Sequence, residues 1–418
     1  MNKMDFSRLA GWAACAGLLL MPVMGTFAAR GQEAVTVRFE VRLSEAAAKI
    51  NATGPLEVRG NLPELGAWGG KGLSLVRGAD GVFTGEIAGV KAGTTIECKV
   101  TRGGWETVEK AGDGGEINNR EIVVKAGTEA MVVAMEVQNW ADGVEAKKVA
   151  STATGDIREH AAVRSEVLGN TRRVWVWLPE GYEQEPERRY PVLYMHDGQN
   201  CFDAALSFSG EWRADETARD LIAAGKIEPI IIVAVENTGL GRFYEYTPTE
   251  FVHKAIGEAR GGGAEKYARF LIEELKPMID RTYRTKAGRE DTGVAGSSLG
   301  GLVSLYLGQE HGATYGKVGA VSPSLFWGNR QLMLAVMERP EKVLAGKLWM
   351  DMGTEEERML DNAVNSLTNA RELAAVLSAA DAKAGGGRFE YFEAAGAKHH
   401  ESDWAARFGK ILEFLYGK

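Results

Sequence analysis

Two adjacent serines, Ser297 and Ser298, lie in the run Val294-Ala295-Gly296-Ser297-Ser298-Leu299-Gly300-Gly301, between an apolar strand and an apolar helix. A serine hydroxyl becomes a nucleophile only when it is held exposed beside a base and opposite oxyanion donors. A sharp strand-to-helix turn does this. It needs small residues two before and two after the serine, where larger side chains would strike backbone. Gly296 and Gly300 meet that need for Ser298, which singles it out as the candidate nucleophile. In a chain with 52 glycines the pattern is weak alone, so the deciding question is whether partners follow in order.

An acid and then a histidine must come after the serine. Of six histidines, His160, His196 and His253 precede it, and His311 falls at the far end of the helix that follows. His399 and His400 remain, between a strand at 388–392 and the last helix. The acid belongs after the strand at 347–352. Asp351 lies before that strand ends, and the loop beyond offers Glu355, Glu356 and Glu357. Its task is to fix the imidazole tautomer and stabilise the imidazolium, and spacing leaves the three open. One oxyanion N–H would come from Leu299. The other would come from the turn Tyr194-Met195-His196-Asp197-Gly198-Gln199-Asn200, with Gly198 or Gln199 as donor. Asp197 and Asn200 either brace this turn or face the substrate. Such chemistry requires no cofactor and no metal. A metal hydrolase built on His196, Asp197, His399 and His400 is a rival of a different class, distinguished by sensitivity to chelators.

These residues need a scaffold that gathers strand ends. From Val174 onward, apolar strands at 191–195, 229–235, 291–295 and 347–352 alternate with helices. One helix, at 265–279, carries Tyr267, Phe270, Leu271, Leu275, Met278 and Ile279 on one face, and the last carries Trp404, Phe408, Ile411, Leu412 and Leu415. The alternation predicts an α/β domain with a mostly parallel sheet covered on both faces, over residues 155–418. Residues 33–140 instead read as short strands, at 35–41, 95–100, 121–124 and 131–135, separated by Gly-rich turns and without a helical period. A small all-β sandwich is expected there. Residues 141–154 are small, polar and unpatterned, as in a linker.

The 418 residues suffice for two such domains, and a net charge of −8 without any basic run excludes nucleic acid as a partner. Lys3 and Arg8, the apolar stretch from Leu9 to Met24, and Thr26-Phe27-Ala28-Ala29 have the layout of a cleaved secretory signal at 1–29. The mature chain is then expected to be secreted or periplasmic, with no membrane partner. Cys98 and Cys201 fall in different predicted domains, so no disulfide between them is expected.

Several separated motifs resemble the "Putative esterase" family of α/β-hydrolases, which includes feruloyl and acetyl xylan esterases, siderophore esterases of the enterobactin type, S-formylglutathione hydrolases and mycolyltransferases. They are the 194–200 turn, the 296–301 turn with Ser322-Pro323-Ser324, Gly353-Thr354-Glu355-Glu356, and His399-His400-Glu401-Ser402-Asp403-Trp404. The resemblance covers about Gly155 to Lys418. It implies His399 as the base, in a His-x-Glu-x-x-Trp pattern, and Glu356 as the acid. It also implies that Trp212-Arg213-Ala214-Asp215-Glu216 and the 242–248 stretch line the substrate region, with Arg242 either anchoring an acyl group or pairing with a carboxylate such as Asp197. Residues 58–68, Trp105-Glu106 and Asn119-Arg120 resemble a starch-binding-type carbohydrate module of family 20. That likeness implies Trp105 and Asn119 as sugar-binding residues and Trp68 as core, with no evident second stacking aromatic. The expected partner is an ester substrate linked to polysaccharide, with glucan binding by the module. The alternatives are a siderophore esterase, an acyltransferase, or a carbohydrate-binding protein with a degenerate hydrolase domain.

Overall fold

The structure is a computed structural model that describes residues 34–50, 54–68, 70–115, 117, 119–127, 130–143, 149–207, 210–239, 241–252, 259–356 and 366–418. The expected secretory signal and its Cys15, together with His253, Glu357 and part of the expected linker, lie outside the described residues.

The amino-terminal strands are β1 (Ala34–Leu43), β2 (Leu56–Gly60), β3 (Leu73–Arg77), β4 (Phe83–Lys91), β5 (Thr95–Thr101), β6 (Glu109–Lys110), β7 (Arg120–Val123), β8 (Ala130–Val137) and β9 (Asn139–Trp140). Seven of them hydrogen-bond in the order β7-β5-β2-β3-β4-β1-β8. β3 pairs with β2 through Leu73, Ser74 and Leu75, then with β4 through Val76 and Arg77. It thereby passes from one layer of the sandwich to the other. β1 runs parallel to β8, from Thr36 opposite Ala130 to Leu43 opposite Val137. Alternation along β1 places Val35, Val37, Phe39 and Val41 in a single core with Val58, Ile96, Cys98 and Trp140. A helix at Glu45–Ile50, absent from the sequence reading, is too short to display a period. It starts where the Ser44 hydroxyl accepts a hydrogen bond from the Ala47 N–H.

The remaining strands are β10 (Asp156–Ser165), β11 (Asn170–Leu178), β12 (Val192–His196), β13 (Ile231–Val235), the small pair β14 (Glu250–Val252) and β15 (Ala259–Gly261), β16 (Thr292–Ser297), β17 (Lys317–Val321), β18 (Lys347–Gly353) and β19 (Phe389–Ala394). Eight form one sheet in the order β10-β11-β13-β12-β16-β17-β18-β19. β10 and β11 pair antiparallel with their neighbours, and every pairing from β13 to β19 is parallel. This is the mostly parallel sheet of an α/β-hydrolase. Successive residues feed opposite faces: Val174, Val176, Val192 and Tyr194 enter one apolar cluster, while Trp175, Trp177, Leu193 and Met195 enter the other. Covering both faces is what permits continuous apolar strands. β10, β11 and β17 were not singled out in the sequence.

The helix expected at 265–279 forms as Ala264–Arg269, a π-helical turn Phe270–Leu275, and Lys276–Thr282. Pro277 explains the interruption, because it lacks the N–H for an i−4 bond and its ring crowds the preceding turn. Tyr267, Phe270, Leu271, Leu275 and Ile279 are all fully buried. Cys98 and Cys201 are both buried free thiols. Among the described residues no helix is long and apolar enough to cross a membrane.

Candidate active site

Four loops at the carboxyl ends of parallel strands supply the site: after β12, β16, β18 and β19. That edge is where ligands bind in open α/β sheets, because chains diverge there on either side of the strand-order reversal. Ser298 follows β16 with φ 61° and ψ −121° and caps the buried helix Leu299–Glu310. L-residues avoid this region, at a cost of about 1–3 kcal/mol, so the surroundings must impose it. They do. A Cβ at Gly296 would lie 3.0 Å from Gly300 backbone and from His196 Cδ2, and one at Gly300 would lie 3.3 Å from Asp197 Oδ2. Ser298 N–H donates to Val321 O at 3.0 Å, and Ser324 N–H donates back to Ser298 O at 3.1 Å. Ser298 Oγ lies 3.4 Å from Ser324 Oγ, its hydrogen-bond neighbour in place of His399. Ser297 is buried at the end of β16.

His399 Nδ1 lies 3.1 Å from Glu356 Oε2, and its ring meets the Trp404 indole edge-on at a 4.9 Å centroid distance. The geometry therefore brings together His399 and Glu356, while Glu355 points to solvent. His400 has another task. It caps the helix Glu401–Tyr416, its Nδ1 accepting from Ser402 N–H at 3.2 Å. Glu356 is itself held on several sides. Its Oε1 accepts from the Ser322 hydroxyl and from Gly353 N–H at 2.7 Å, with Arg407 Nη2 3.5 Å away. Burial alone would raise its pKa, yet the bonds from His399, Ser322 and Gly353 hold it below the ordinary glutamate value. Arg407 also bonds Ser322 Oγ at 2.7 Å and Asp351 at 2.9 Å, and Trp404 Nε1 bonds Ser322 Oγ at 3.1 Å. Asp351, Ser322 and Arg407 were not foreseen as this support. The one available signal was an arginine on the apolar face of the last helix, three residues after Trp404.

The turn after β12 is equally constrained. Asp197 adopts left-handed backbone angles of φ 56° and ψ 47°, and Gly198–Asn200 forms a single tight turn. A Cβ on Gly198 would sit 2.5 Å from Val235 N. Asp197 receives Arg242 Nε and Nη2 at 2.7 and 2.8 Å and Asn237 Nδ2 at 2.7 Å. Although burial opposes the charge, Arg242 keeps the Asp197 carboxyl below its usual pKa. Arg242 Nη2 also reaches Ser297 O at 3.5 Å, so one guanidinium spans the two loops. Gln199 is fastened through its side chain, which accepts from Asn237 N–H at 3.3 Å. Leu299, as first residue of its helix, has an N–H without an intrahelical acceptor.

The residues expected along the substrate region are held largely by the protein itself. Asp197 is committed to Arg242, and Asn200 is buried with its Nδ2 on Glu401 Oε1 at 3.3 Å, so both brace the turn and neither faces substrate. Trp212 is only 3% exposed, its ring against Trp404 and Phe408, which leaves no face for a ligand. Asp215 and Glu216 are likewise buried, and burial together with neighbouring Glu216 pushes the Asp215 carboxyl up to about 7. Arg242 takes the paired alternative. Among the described residues, His196, Asp197, His399 and His400 do not converge as a metal-holding group.

His196 ends β12 fully enclosed, its Nδ1 3.0 Å from Tyr267 Oη, and burial drives its imidazole down to about 3. The unfolded chain protonates this histidine near the ordinary value of 6.5. Stability is therefore complete above that value and falls by about 1.4 kcal/mol per pH unit between it and the folded value. Denaturant titrations at pH 7 and pH 5 should show that slope, and a His196→Asn variant should show a shallower one. Equal slopes would refute the assignment.

In the amino-terminal domain Trp105 is 37% exposed and its Nε1 donates to Trp68 O at 3.1 Å. Trp68 is partly exposed and outside the core, contrary to expectation, with its ring 5.8 Å from that of Trp105 and inclined by 34°. Trp68 is thus a second partly exposed aromatic beside Trp105. Asn119 is exposed and donates to Glu97 Oε2 at 3.2 Å.

A model of the family described as "Putative esterase" matches residues 165–415. An endo-1,4-beta-xylanase/feruloyl esterase from Xylanibacter ruminicola is 32% identical over 161 residues, 38% of this chain and 20% of that protein. An iron(III) salmochelin esterase from Escherichia coli is 25% identical over 273 residues, 64% of this chain and 57% of that protein. The chain thus spans a fifth of the first relative's length and somewhat over half of the second's. The crystal structure of the BES protein from Bacillus cereus superposes with a TM-score of 0.50 at 21% identity, covering 66% of this chain and 99% of the other.

Proposed function

The chain belongs to the "Putative esterase" family, and from that premise we propose that it is an exported serine carboxylic-ester hydrolase acting through Ser298, His399 and Glu356. The observation that carries this reading is the Glu356–His399 contact at 3.1 Å on the sheet edge that also carries Ser298 on a strained strand-to-helix turn. Ser298 Oγ attacks the ester carbonyl carbon while His399 Nε2 takes its proton. For this the hydroxyl turns from Ser324 toward the imidazole, a tightening common once substrate is bound. The N–H groups of Leu299 and of Gly198 or Gln199 receive the oxyanion. The imidazolium then protonates the departing alcohol, and the acyl group remains on Ser298. Water, deprotonated by His399, attacks the acyl carbon, and Ser298 leaves with the proton. Glu356 keeps the Nδ1–H tautomer throughout.

Acyl-decorated carbohydrate, carrying feruloyl or acetyl groups, is the proposed substrate class, supported by the feruloyl esterase relative and the amino-terminal sandwich. Rates on feruloyl, acetyl and siderophore esters test it. Faster turnover of a catecholate siderophore ester would favour the second reading, which rests on the salmochelin esterase relative. Export by a leader at 1–29, the boundaries 33–140, 141–154 and 155–418, and glucan binding through Trp68 and Trp105 belong to the same proposal. Sugar rings lay apolar C–H faces on aromatic faces. Trp105→Ala and Trp68→Ala should each weaken retardation on a starch-containing affinity gel about tenfold, or about 1.4 kcal/mol. Unchanged mobility of both variants would remove the pair from glucan binding.

A further inference from the structure

Behind the turn that carries Gly198 and Gln199, three acids are packed together without, among the described residues, the partners that burial demands. Glu211, Asp215 and Glu216 each bring a carboxylate oxygen to within 4.8 Å of the others. Asp215 is fully buried and Glu216 is 8% exposed. One oxygen of each is held by the protein. Glu211 Oε2 accepts from the Thr152 hydroxyl at 2.9 Å, Asp215 Oδ2 from Thr154 N–H and Oγ1 at 2.7 and 2.8 Å, and Glu216 Oε1 from Arg213 Nε at 3.3 Å. The other oxygen of each, Glu211 Oε1, Asp215 Oδ1 and Glu216 Oε2, is buried with no hydrogen-bond partner among the described residues. Buried acceptors are normally satisfied, and buried charges are normally paired or bound to metal. Among the described residues Arg213 is the one cation bonded to the cluster, and its side chain is 64% exposed.

We propose that Glu211, Asp215 and Glu216 form a structural Ca2+ site, separate from the ester chemistry. Oxygens bound to one Ca2+ at about 2.3–2.6 Å lie no more than about 5 Å apart, which the cluster satisfies. An all-carboxylate set suits this hard, geometrically tolerant ion better than Mg2+, which keeps several of its waters. The site's place in the chain gives it a role. Thr152 and Thr154 belong to the segment read as linker, and Ser151 Oγ and Thr152 N–H bond Asp203 at 2.8 and 3.2 Å. On the other side, Trp212 N–H and Ala214 N–H donate to Asn200 O and Cys201 O at 2.8 and 2.9 Å. The ion therefore clamps the segment entering the hydrolase domain to the helix Ala214–Ala223 and, through Trp212 and Ala214, to the turn that carries Gly198 and Gln199.

The test is titration of the EGTA-dialysed full-length chain with CaCl2 by calorimetry, together with thermal unfolding with and without the salt. One Ca2+ per chain and a rise in Tm of about 5 °C at saturating Ca2+ are expected. Asp215→Asn should weaken binding tenfold or more. Glu211→Gln, at the half-exposed acid, should do the same while keeping a native circular-dichroism spectrum, so the outcome does not depend on whether Asp215→Asn folds. Ser298→Ala should bind Ca2+ with unchanged affinity, which separates this site from the esterase reading. Absence of stoichiometric Ca2+ binding, with a proton shared between Asp215 and Glu216 in its place, overturns the proposal. So does binding that survives both acid replacements, or binding of Mg2+ or Zn2+ without Ca2+.

Discussion

Replacing Ser298 with alanine is expected to lower kcat/KM on a chromogenic acetate by about 10^4- to 10^6-fold and to abolish labelling by a fluorophosphonate probe. The magnitude follows from losing the covalent route altogether, so that only the oxyanion donors and substrate positioning remain. The fold should survive, because alanine inherits the backbone angles that Gly296, Gly300 and Val321 impose on this turn. Ser297→Ala is the control. Its hydroxyl is buried in β16, and labelling of that variant should persist. Near-full turnover by Ser298→Ala would refute the proposed mechanism at its centre, and a degenerate hydrolase domain predicts no labelling of either protein.

Glu356→Gln should lower kcat by about 10^3- to 10^4-fold with little change in KM, since an amide can present its N–H to Nδ1 and favour the wrong tautomer. Glu355→Gln, at the exposed neighbour, should leave both constants near wild type. The reverse pattern would move the acid by one residue. The same substitution has a stability signature. Glu356 is held below its ordinary pKa, so its charged form contributes stability that is complete above about pH 4.5 and lost as pH falls through the folded value. That part of the acid-unfolding curve should flatten in Glu356→Gln.

The site was legible where a residue's role depends on short spacing. The turn around Ser298 declares itself by its glycines, and chain order left only two histidines for the base. Choosing among the three glutamates was not legible from spacing, because the choice depends on which side chain meets Ser322 and Gly353 N–H across the sheet. The surroundings of the neighbouring residues were not legible, for one reason. Asn200, Trp212, Asp215 and Glu216 are near the site in sequence, but whether they face ligand or core is decided by the last helix, some two hundred residues away, and by the Ser151–Thr154 segment. Trp68 erred in the opposite direction. Its φ of 63° turns it off the core path, and nothing in an aromatic flanked by glycine and alanine announces that. The fold was read from continuous apolar strands, and β10 escaped because its half-exposed edge position gives it neither such a run nor a buried face.

The parallel pairing of β1 with β8 also has a mechanical meaning. The start of β1 and the end of β8 lie at opposite ends of one ladder, from Thr36–Ala130 to Leu43–Val137. A force applied between those two points would therefore load that ladder in shear. Its hydrogen bonds would bear the force together instead of parting one after another, as they would if a hairpin were pulled open from its end.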